Sequence, residues 1–465
     1  MIMERERKKR RRVVKLAITE VIMVIAIIIM VILLTLIAMG YNLNKDGEVG
    51  QQGIAQIHSM PSGASIMIDG NTILPRTNTN RMMEAGEHYV ELSKDNYDSW
   101  HKTINIEPGV VYKMDYPRLF LQNREVETVR EFDEKLAIFE PAPNHDSIIY
   151  ATNAATEWNW LDIRGDGAVD KKLDMSQLLD RLTVDQVEWN TNNDKVLVKA
   201  HNTDGKTEWI LVYVKDLETS INLTKEFDMD FSDVEFANGG GERLYVTENG
   251  NLRMIVTGEK VISQVIASEI RGYAFEGGTL MYLTSENKLM LYREGEKDLE
   301  VTELNPSQNV KIALSEYLSK KYISFVIDNK IYVYKGDYPN DDHSLNEMMT
   351  LDYEGELEMT PDELEVEGAG EFIISRQGQK LAVFDAELAR MHQYSLDGEQ
   401  MFFLDLYLIG TIKDGDLIVC DFDHENCRDL TKASGQAIIT KNNKWMYYLQ
   451  VSDNKTYIDR EKILD

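Results

Sequence analysis

Trp158 and Trp160 stand two residues apart, with Glu157, Asn159 and Asp162 beside them. On a strand, side chains two apart share a face. Indole rings flanked by amides and carboxylates suit stacking on a sugar, and they equally suit packing between sheets. Cys420 and Cys427, the chain's only cysteines, flank the segment DFDHEN. That spacing opposes them across a hairpin, as a disulfide or as two free thiols. Two stretches carry part of a cation loop. In Asp162-Ile163-Arg164-Gly165-Asp166-Gly167, Arg164 fills a ligand position and Leu173 stands where a glutamate is required. Asp421, Asp423 and Glu425 alternate, but Lys432 takes the final ligand position. Arg164-Gly165-Asp166 also spells an integrin-type tripeptide, which chance supplies often. His343 and His424 read as surface residues rather than ligands, and the eight histidines form no HExxH. A GxSxG elbow, a Walker loop and a GxGxxG are likewise missing. With 79 Asp/Glu, any acid pair is easy to name and impossible to select from sequence. The expectation is a protein that is not an enzyme and has no catalytic residues, cofactor or bound metal.

The element that sets the address of these residues lies at the N-terminus. Val21 to Met39 is nineteen residues without a charge, with Thr35 the one polar side chain. At ~1.5 Å per residue this is ~28 Å of helix, enough to cross a bilayer core. Residues 1–15 carry eight Lys/Arg against Glu4 and Glu6, which keeps that end in the cytoplasm. The reading is a basic tail (1–15), a membrane anchor (16–40) and an extracytoplasmic remainder. The competing reading is a cleaved signal ending at Ala38-Met39-Gly40, although a signal's apolar region is shorter. Outside the tail the charge is about −35, from a total of −29. A polyanion of that kind repels phosphate backbones, which excludes nucleic acid as a partner.

Residues 41–52 read as a short polar spacer, so the next domain sits close to the membrane. Residues 53–120 hold short alternating strands broken at Pro61-Ser62-Gly63-Ala64, Asp69-Gly70, Ala85-Gly86 and Pro108-Gly109, the pattern of a small β-sandwich. On these residues the segment resembles a PEGA domain. Pro61, Ser62, Gly63 and Ala64 occupy the motif and Asp69-Gly70 follow an apolar residue. Pro75 matches a later proline, and Gly86-Glu87-His88 and Asn96-Tyr97 stand at two further turns. Ser62 replaces the family's Glu, and Asn96 replaces a Gly, tolerable because Asn enters the left-handed region. The resemblance implies an envelope or surface β-domain with a suggested carbohydrate-binding role.

Residues 121–138 are charged and read as a linker, either a short helix or an extended strand. From 139 to 465 apolar runs begin at Ile148, Val196, Leu244, Leu280, Tyr322, Leu381, Leu417 and Trp445, on average about 42 residues apart. That is the period of one propeller blade. Several runs turn through Asn-Gly or Asp-Asn into a second strand. The expected fold is an all-β ectodomain, a small sandwich plus a seven- or eight-bladed β-propeller, on one N-terminal transmembrane helix. It resembles the loose WD-like or TolB-type propellers in architecture, with two packed sandwiches as the runner-up. Asp337 to Glu367 holds twelve Asp/Glu and no Lys or Arg, and reads as a solvated insertion projecting from one face.

The functional expectation is a non-catalytic binding or scaffold platform in the cell envelope, with an envelope glycan or a protein as partner and membrane lipid around residues 16–39. An envelope sensor or assembly factor is one alternative. A glycan hydrolase or lyase using acids gathered at the propeller's channel is the other.

Overall fold

The computed structural model describes residues 2–38, 41–43, 49–153, 157–237, 240–305, 307, 309–367 and 370–465. The side chains of the basic tail, and Met39-Gly40 of the possible cleavage site, lie outside the described set. The chain divides into two compact units, 1–123 and 124–465.

One helix, Ile2–Ala38, opens the chain. Its apolar stretch Ile18–Ile37 is long enough to span a bilayer, and none of it is covered by protein. Thr35 donates its hydroxyl to the Val31 carbonyl at 2.8 Å, so the one polar side chain of Val21–Ile37 is satisfied within the helix. The expected spacer is different in kind. Tyr41–Leu43 pairs antiparallel with Val49–Ile57, with Tyr41 opposite Gln51. Of the expected spacer 41–52, residues 44–48 lie outside the described residues, and the rest belongs to these two paired strands rather than to loose chain.

Two four-stranded sheets build the rest of the first unit. Val49–Ile57 lies between Thr79–Glu84 on one side and, on the other, Tyr41–Leu43 and the parallel strand Val111–Met114. The second sheet runs Asn71–Ile73, Ser65–Ile68, Gly86–Ser93, Trp100–Ile106. In the last of these, burial alternates residue by residue, and Trp100, Ile104 and Ile106 join Ile57, Ile66 and Leu92 in the core. Gly53 is required here: a Cβ would meet the Glu107 carbonyl at 2.5 Å. Asn96 takes φ +69°, the left-handed conformation its replacement of glycine demanded.

The second unit is eight four-stranded sheets, each of the first seven built from four consecutive strands. Their first strands are Ile138–Pro141, Leu182–Trp189, Asp233–Phe236, Ile270–Glu276, Val310–Tyr317, Glu363–Glu367, Met401–Asp405 and Ala437–Ile439. The first strands of blades 4 and 5, 5 and 6, and 7 and 8 touch one another, which places first strands innermost. Apolar clusters join neighbouring sheets, as where Trp158 and Leu173 of blade 1 meet Val196 and Ile210 of blade 2. Ile438, Tyr447 and Ile458 of blade 8 pack on Ile148, Tyr150 and Leu161 of blade 1, closing the ring. The fold is an eight-bladed propeller.

Two sequence expectations change. Within 121–138, Val126–Phe132 is not a linker: it pairs with Lys455–Lys462 as the outer strand of blade 8. An outer strand faces solvent, so it can be as charged as VETVREF and still belong to the sheet. Nor is Asp337–Glu367 an insertion. It supplies the short helix Leu345–Met348, the outer strand Met349–Glu356 of blade 5 and the inner strand Glu363–Glu367 of blade 6.

Candidate functional site

Seven of the eight inner strands end in an acid at their last or second-last residue: Glu140, Glu188, Glu235, Glu276, Glu316, Glu367 and Asp405. All blades are traversed in the same sense, from the inner strand outward. These positions therefore lie toward one end of the propeller's channel, where Glu140, Glu188 and Glu235 act on one another and on neighbouring acids, and Glu316 acts on Glu276, as a collar of carboxyls. Asp233 and Glu365, each two residues earlier on its strand, deepen it.

The electrostatics follow from crowding. Glu140 is pushed up to about 7 by burial and then by Glu188. Glu188 is also pushed up to about 7, by burial, then by Asp233 and by Glu365. Glu188 belongs to blade 2 and Glu365 to blade 6, four places around a ring of eight, so the effect of Glu365 on Glu188 acts across the channel. Burial and then Asp233 raise Glu235 to about 8, while Tyr273 donates its hydroxyl to Asp233 Oδ2 at 3.2 Å. Burial raises Glu365 too, followed by Glu363, with Arg376 opposing. Glu276 rises through burial and then Glu316, offset by Lys321, which pairs with Glu316 at 2.8 Å. Among the described residues, no Lys or Arg offsets Glu140, Glu188 or Glu235. The collar crowds carboxyls with no offsetting cation at three positions, so its negative charge is only partly developed near pH 7 and grows as pH rises.

Chemically it can attract cationic groups, and near neutral pH it holds both protonated and ionised carboxyls. A shallow groove of about 420 Å³ lies elsewhere, between blades 2 and 3, and contains only the Lys206–Asp230 ion pair and polar loop residues around Phe231.

The residues singled out from sequence fare differently. Trp158 and Trp160 do share a strand face, but that face is the seam between blades 1 and 2. Trp158 is 0% exposed, and half-buried Trp160 packs on the same cluster. The proposed glycan contact at this pair is therefore corrected to core packing, because the neighbouring blade occupies the space a sugar would need. Trp158→Ala is expected to cost about 3–5 kcal/mol in urea unfolding and to leave binding of any envelope glycan unchanged.

Asp162 accepts from the Arg164 side chain. Asp166 of the tripeptide is engaged by Lys444 Nζ at 2.9 Å and by the Trp445 indole. Cys420 and Cys427 are joined as a disulfide. Asp421 is buried and accepts the Asn426 side-chain amide at 2.9 Å.

The motif residues of the first unit are structural. Ala64 is fully buried, and its N–H donates to Thr77 Oγ1 at 2.9 Å. Lys94 Nζ donates to the carbonyl of Ser62, and Gly63 and Gly70 take φ of +78° and +79°. Pro61 follows a cis peptide bond. Asp69 accepts from His88 Nδ1 at 2.6 Å and from the Tyr89 amide at 2.9 Å, while His88 Nε2 meets the Glu84 carbonyl at 2.9 Å. With an acceptor at each ring nitrogen, the imidazolium alone satisfies both. Burial works against that charge, but the bonds to Asp69 and Glu84 outweigh it and raise His88, while His88 and then Tyr89 lower Asp69. The pair's stability is thus full below His88's ordinary 6.5 and is lost as pH rises through its raised value. Asp69's share is lost in acid, below its ordinary 3.8. Exchange of the Tyr89 amide is expected to quicken on alkalinisation. Asp69→Ala should speed it at every pH, at a stability cost of about 1 kcal/mol for this partly exposed pair.

The collar was the candidate feature missed in the sequence. Its signal was present: Glu140, Glu188, Glu235, Glu276 and Glu316 precede the apolar runs at Ile148, Val196, Leu244, Leu280 and Tyr322 by 8, 8, 9, 4 and 6 residues.

Residues 52–119 match the PEGA domain family. Among solved structures, the chain is similar to PorZ, a bacterial surface component of the type-IX secretion system of Porphyromonas gingivalis, at 11% identity and a TM-score of 0.43. That match covers 70% of this chain and 42% of PorZ. BamB from Moraxella catarrhalis is similar at 12% identity and a TM-score of 0.41, with 72% and 99% covered. An oligogalacturonate lyase in complex with manganese matches at 11% and 0.40, with 71% and 98% covered. No curated protein matches the chain.

Proposed function

We propose that this chain is a single-pass membrane protein whose extracytoplasmic part is a non-catalytic binding platform. In this reading the helix tethers the PEGA domain and the propeller to the outer face of the plasma membrane. The acid collar receives a Lys/Arg-rich segment of a protein partner in the envelope. The observation that carries the reading is the collar itself: acids at the ends of seven inner strands, three of them without a basic neighbour. Charge arranged this way steers and orients an oppositely charged partner. The tether rests on a twenty-residue, strongly apolar stretch, Ile18–Ile37, none of it buried in the protein. Leaving that surface in water costs ~25 cal/mol per Å², which lipid removes.

The address is tested on cells producing the full chain. It should stay in the membrane pellet after an alkaline carbonate wash, with its mass including residues 1–39 and its propeller open to protease added outside. A soluble chain lacking those residues contradicts the anchor and leaves the collar to be tested by itself.

A second reading has one specific support. Carboxyls near 7, such as Glu140 and Glu188, can exchange protons at neutral pH as general acid and base. Turnover of a defined glycan, with a bell-shaped pH profile that Glu188→Gln abolishes, would replace the binding role with catalysis.

A further inference from the structure

Cys420 and Cys427 sit just beyond the end of the ladder between Asp416–Asp421 and Arg428–Lys432, where Val419 faces Arg428. The loop between them is fixed by bonds other than the disulfide. The Asp421 amide donates to the Glu425 carbonyl at 2.9 Å and the His424 amide to the Asp421 carbonyl at 2.8 Å. The Asn426 side chain donates to Asp421 Oδ2 at 2.9 Å. Phe422, 2% exposed, anchors the loop between Phe372 and Tyr407. The exposed His424 has its ring stacked on Tyr394 at 4.9 Å. A ligand atom of His424 and both Sγ atoms lie within 4.8 Å of one another.

We propose that this loop has two states: a disulfide when oxidised and, once reduced, a Cys420–His424–Cys427 site for a thiophilic divalent ion of the zinc class. Two thiolates and one imidazole are the donors zinc prefers, and three protein ligands leave a fourth position for water or a carboxylate. The reductant is a dithiol. Its thiolate attacks the sulfur of exposed Cys427, releasing Cys420 as thiolate, and its second thiol then displaces Cys427 as the dithiol closes to its own disulfide. Two electrons pass to the protein, and both cysteines are freed as thiol or thiolate. The ion then binds the thiolate forms, displacing any thiol protons. The loop's other hydrogen bonds and the Phe422 anchor hold His424 in place while the two sulfurs separate.

The test uses Cd²⁺ as a spectroscopic probe on the full chain in detergent. The protein is compared oxidised and after dithiothreitol treatment and anaerobic desalting. Reduced protein should take up one Cd²⁺ with the ultraviolet thiolate-to-cadmium charge-transfer band, which carboxylates of the collar cannot produce. His424→Ala should weaken that uptake at least tenfold. Unchanged tryptophan fluorescence on reduction establishes that the fold persists. The proposal is overturned if the reduced protein shows no more of the band than Cys420→Ser/Cys427→Ser. Equal band intensity in the oxidised protein, or His424→Ala binding as tightly as the wild type, overturns it equally.

Discussion

Arg460→Ala should lower the stability of the propeller by about 2–4 kcal/mol, the largest loss expected from any single polar side chain in it. Arg460 is 5% exposed and lies on Lys455–Lys462, the strand that receives the closing strand Val126–Phe132. It forks onto Glu127, with Nη2 to Oε2 at 2.8 Å and Nε to Oε2 at 3.0 Å, and donates Nη1 to the Tyr447 hydroxyl at 3.0 Å. Its guanidinium also lies 4.2 Å from the centre of the Trp445 ring. Charge-assisted bonds contribute about 1.5–3 kcal/mol and a cation–π contact about 1. Glu127 is 55% exposed, so losing its partner strands it in water rather than in the core, which holds the cost below that of a wholly buried pair. The same seam carries Arg124 to Glu461 at 3.2 Å and Thr128 to Asp459 at 2.7 Å. Deleting residues 124–132 should therefore expose the edge of blade 8 and let it unfold before the other blades. Urea unfolding followed by tryptophan fluorescence reads both outcomes. A midpoint for Arg460→Ala equal to that of the wild type contradicts the closure.

The second large effect has the opposite sign. Replacing Glu140, Glu188 and Glu235 together by Gln should stabilise the protein at pH 8 by about 2–4 kcal/mol. A carboxyl whose folded value is raised keeps its proton in the folded chain after the unfolded chain has lost it. For Glu140 and Glu188 that window runs from the ordinary 4.5 to about 7. Their stabilising protonation is complete below 4.5, declines as pH rises, and is gone above 7, where each ionised carboxylate opposes folding. Glutamine removes that penalty without removing the side chain. The gap between variant and wild type should accordingly be near zero at pH 4.5 and grow through pH 8, where Glu235, raised to about 8, is still titrating. A gap independent of pH, or a variant less stable at pH 8, contradicts the crowding.

What could be read in advance depended on whether a residue's partner lies near it in the chain. The helix is legible because nineteen uncharged residues in a row are a local fact. The sandwich is legible because Pro61, Gly63, Asp69 and Gly70 mark turns that need only their own backbone. Blade count came close because the second strand of most blades is a buried apolar run. Leu381 and Leu417 belong instead to third strands, Lys380–Asp385 and Asp416–Asp421, which is why the spacing there was uneven. The closing strand was hidden because its pairing partner lies more than three hundred residues away and its own residues face water. In Glu363–Glu367, ELEVE, the alternation of a strand was present but was outweighed by the acidity of the thirty residues around it. Trp158 and Trp160 show the limit from the other side: spacing established that they share a face, and only the position of blade 2 decides that the face is covered.

The central claim is that the collar is the surface on which a basic partner docks. It is tested most directly by fluorescence anisotropy of a labelled Lys/Arg-rich peptide titrated with the full chain in detergent, beside an acidic peptide of equal length and the Glu140/Glu188/Glu235→Gln variant. The basic peptide should bind, the acidic one should not, and the variant should lose affinity at least tenfold, with the wild-type affinity falling as salt is raised. Equal binding by wild type and variant, or no preference between the two peptides, contradicts the account.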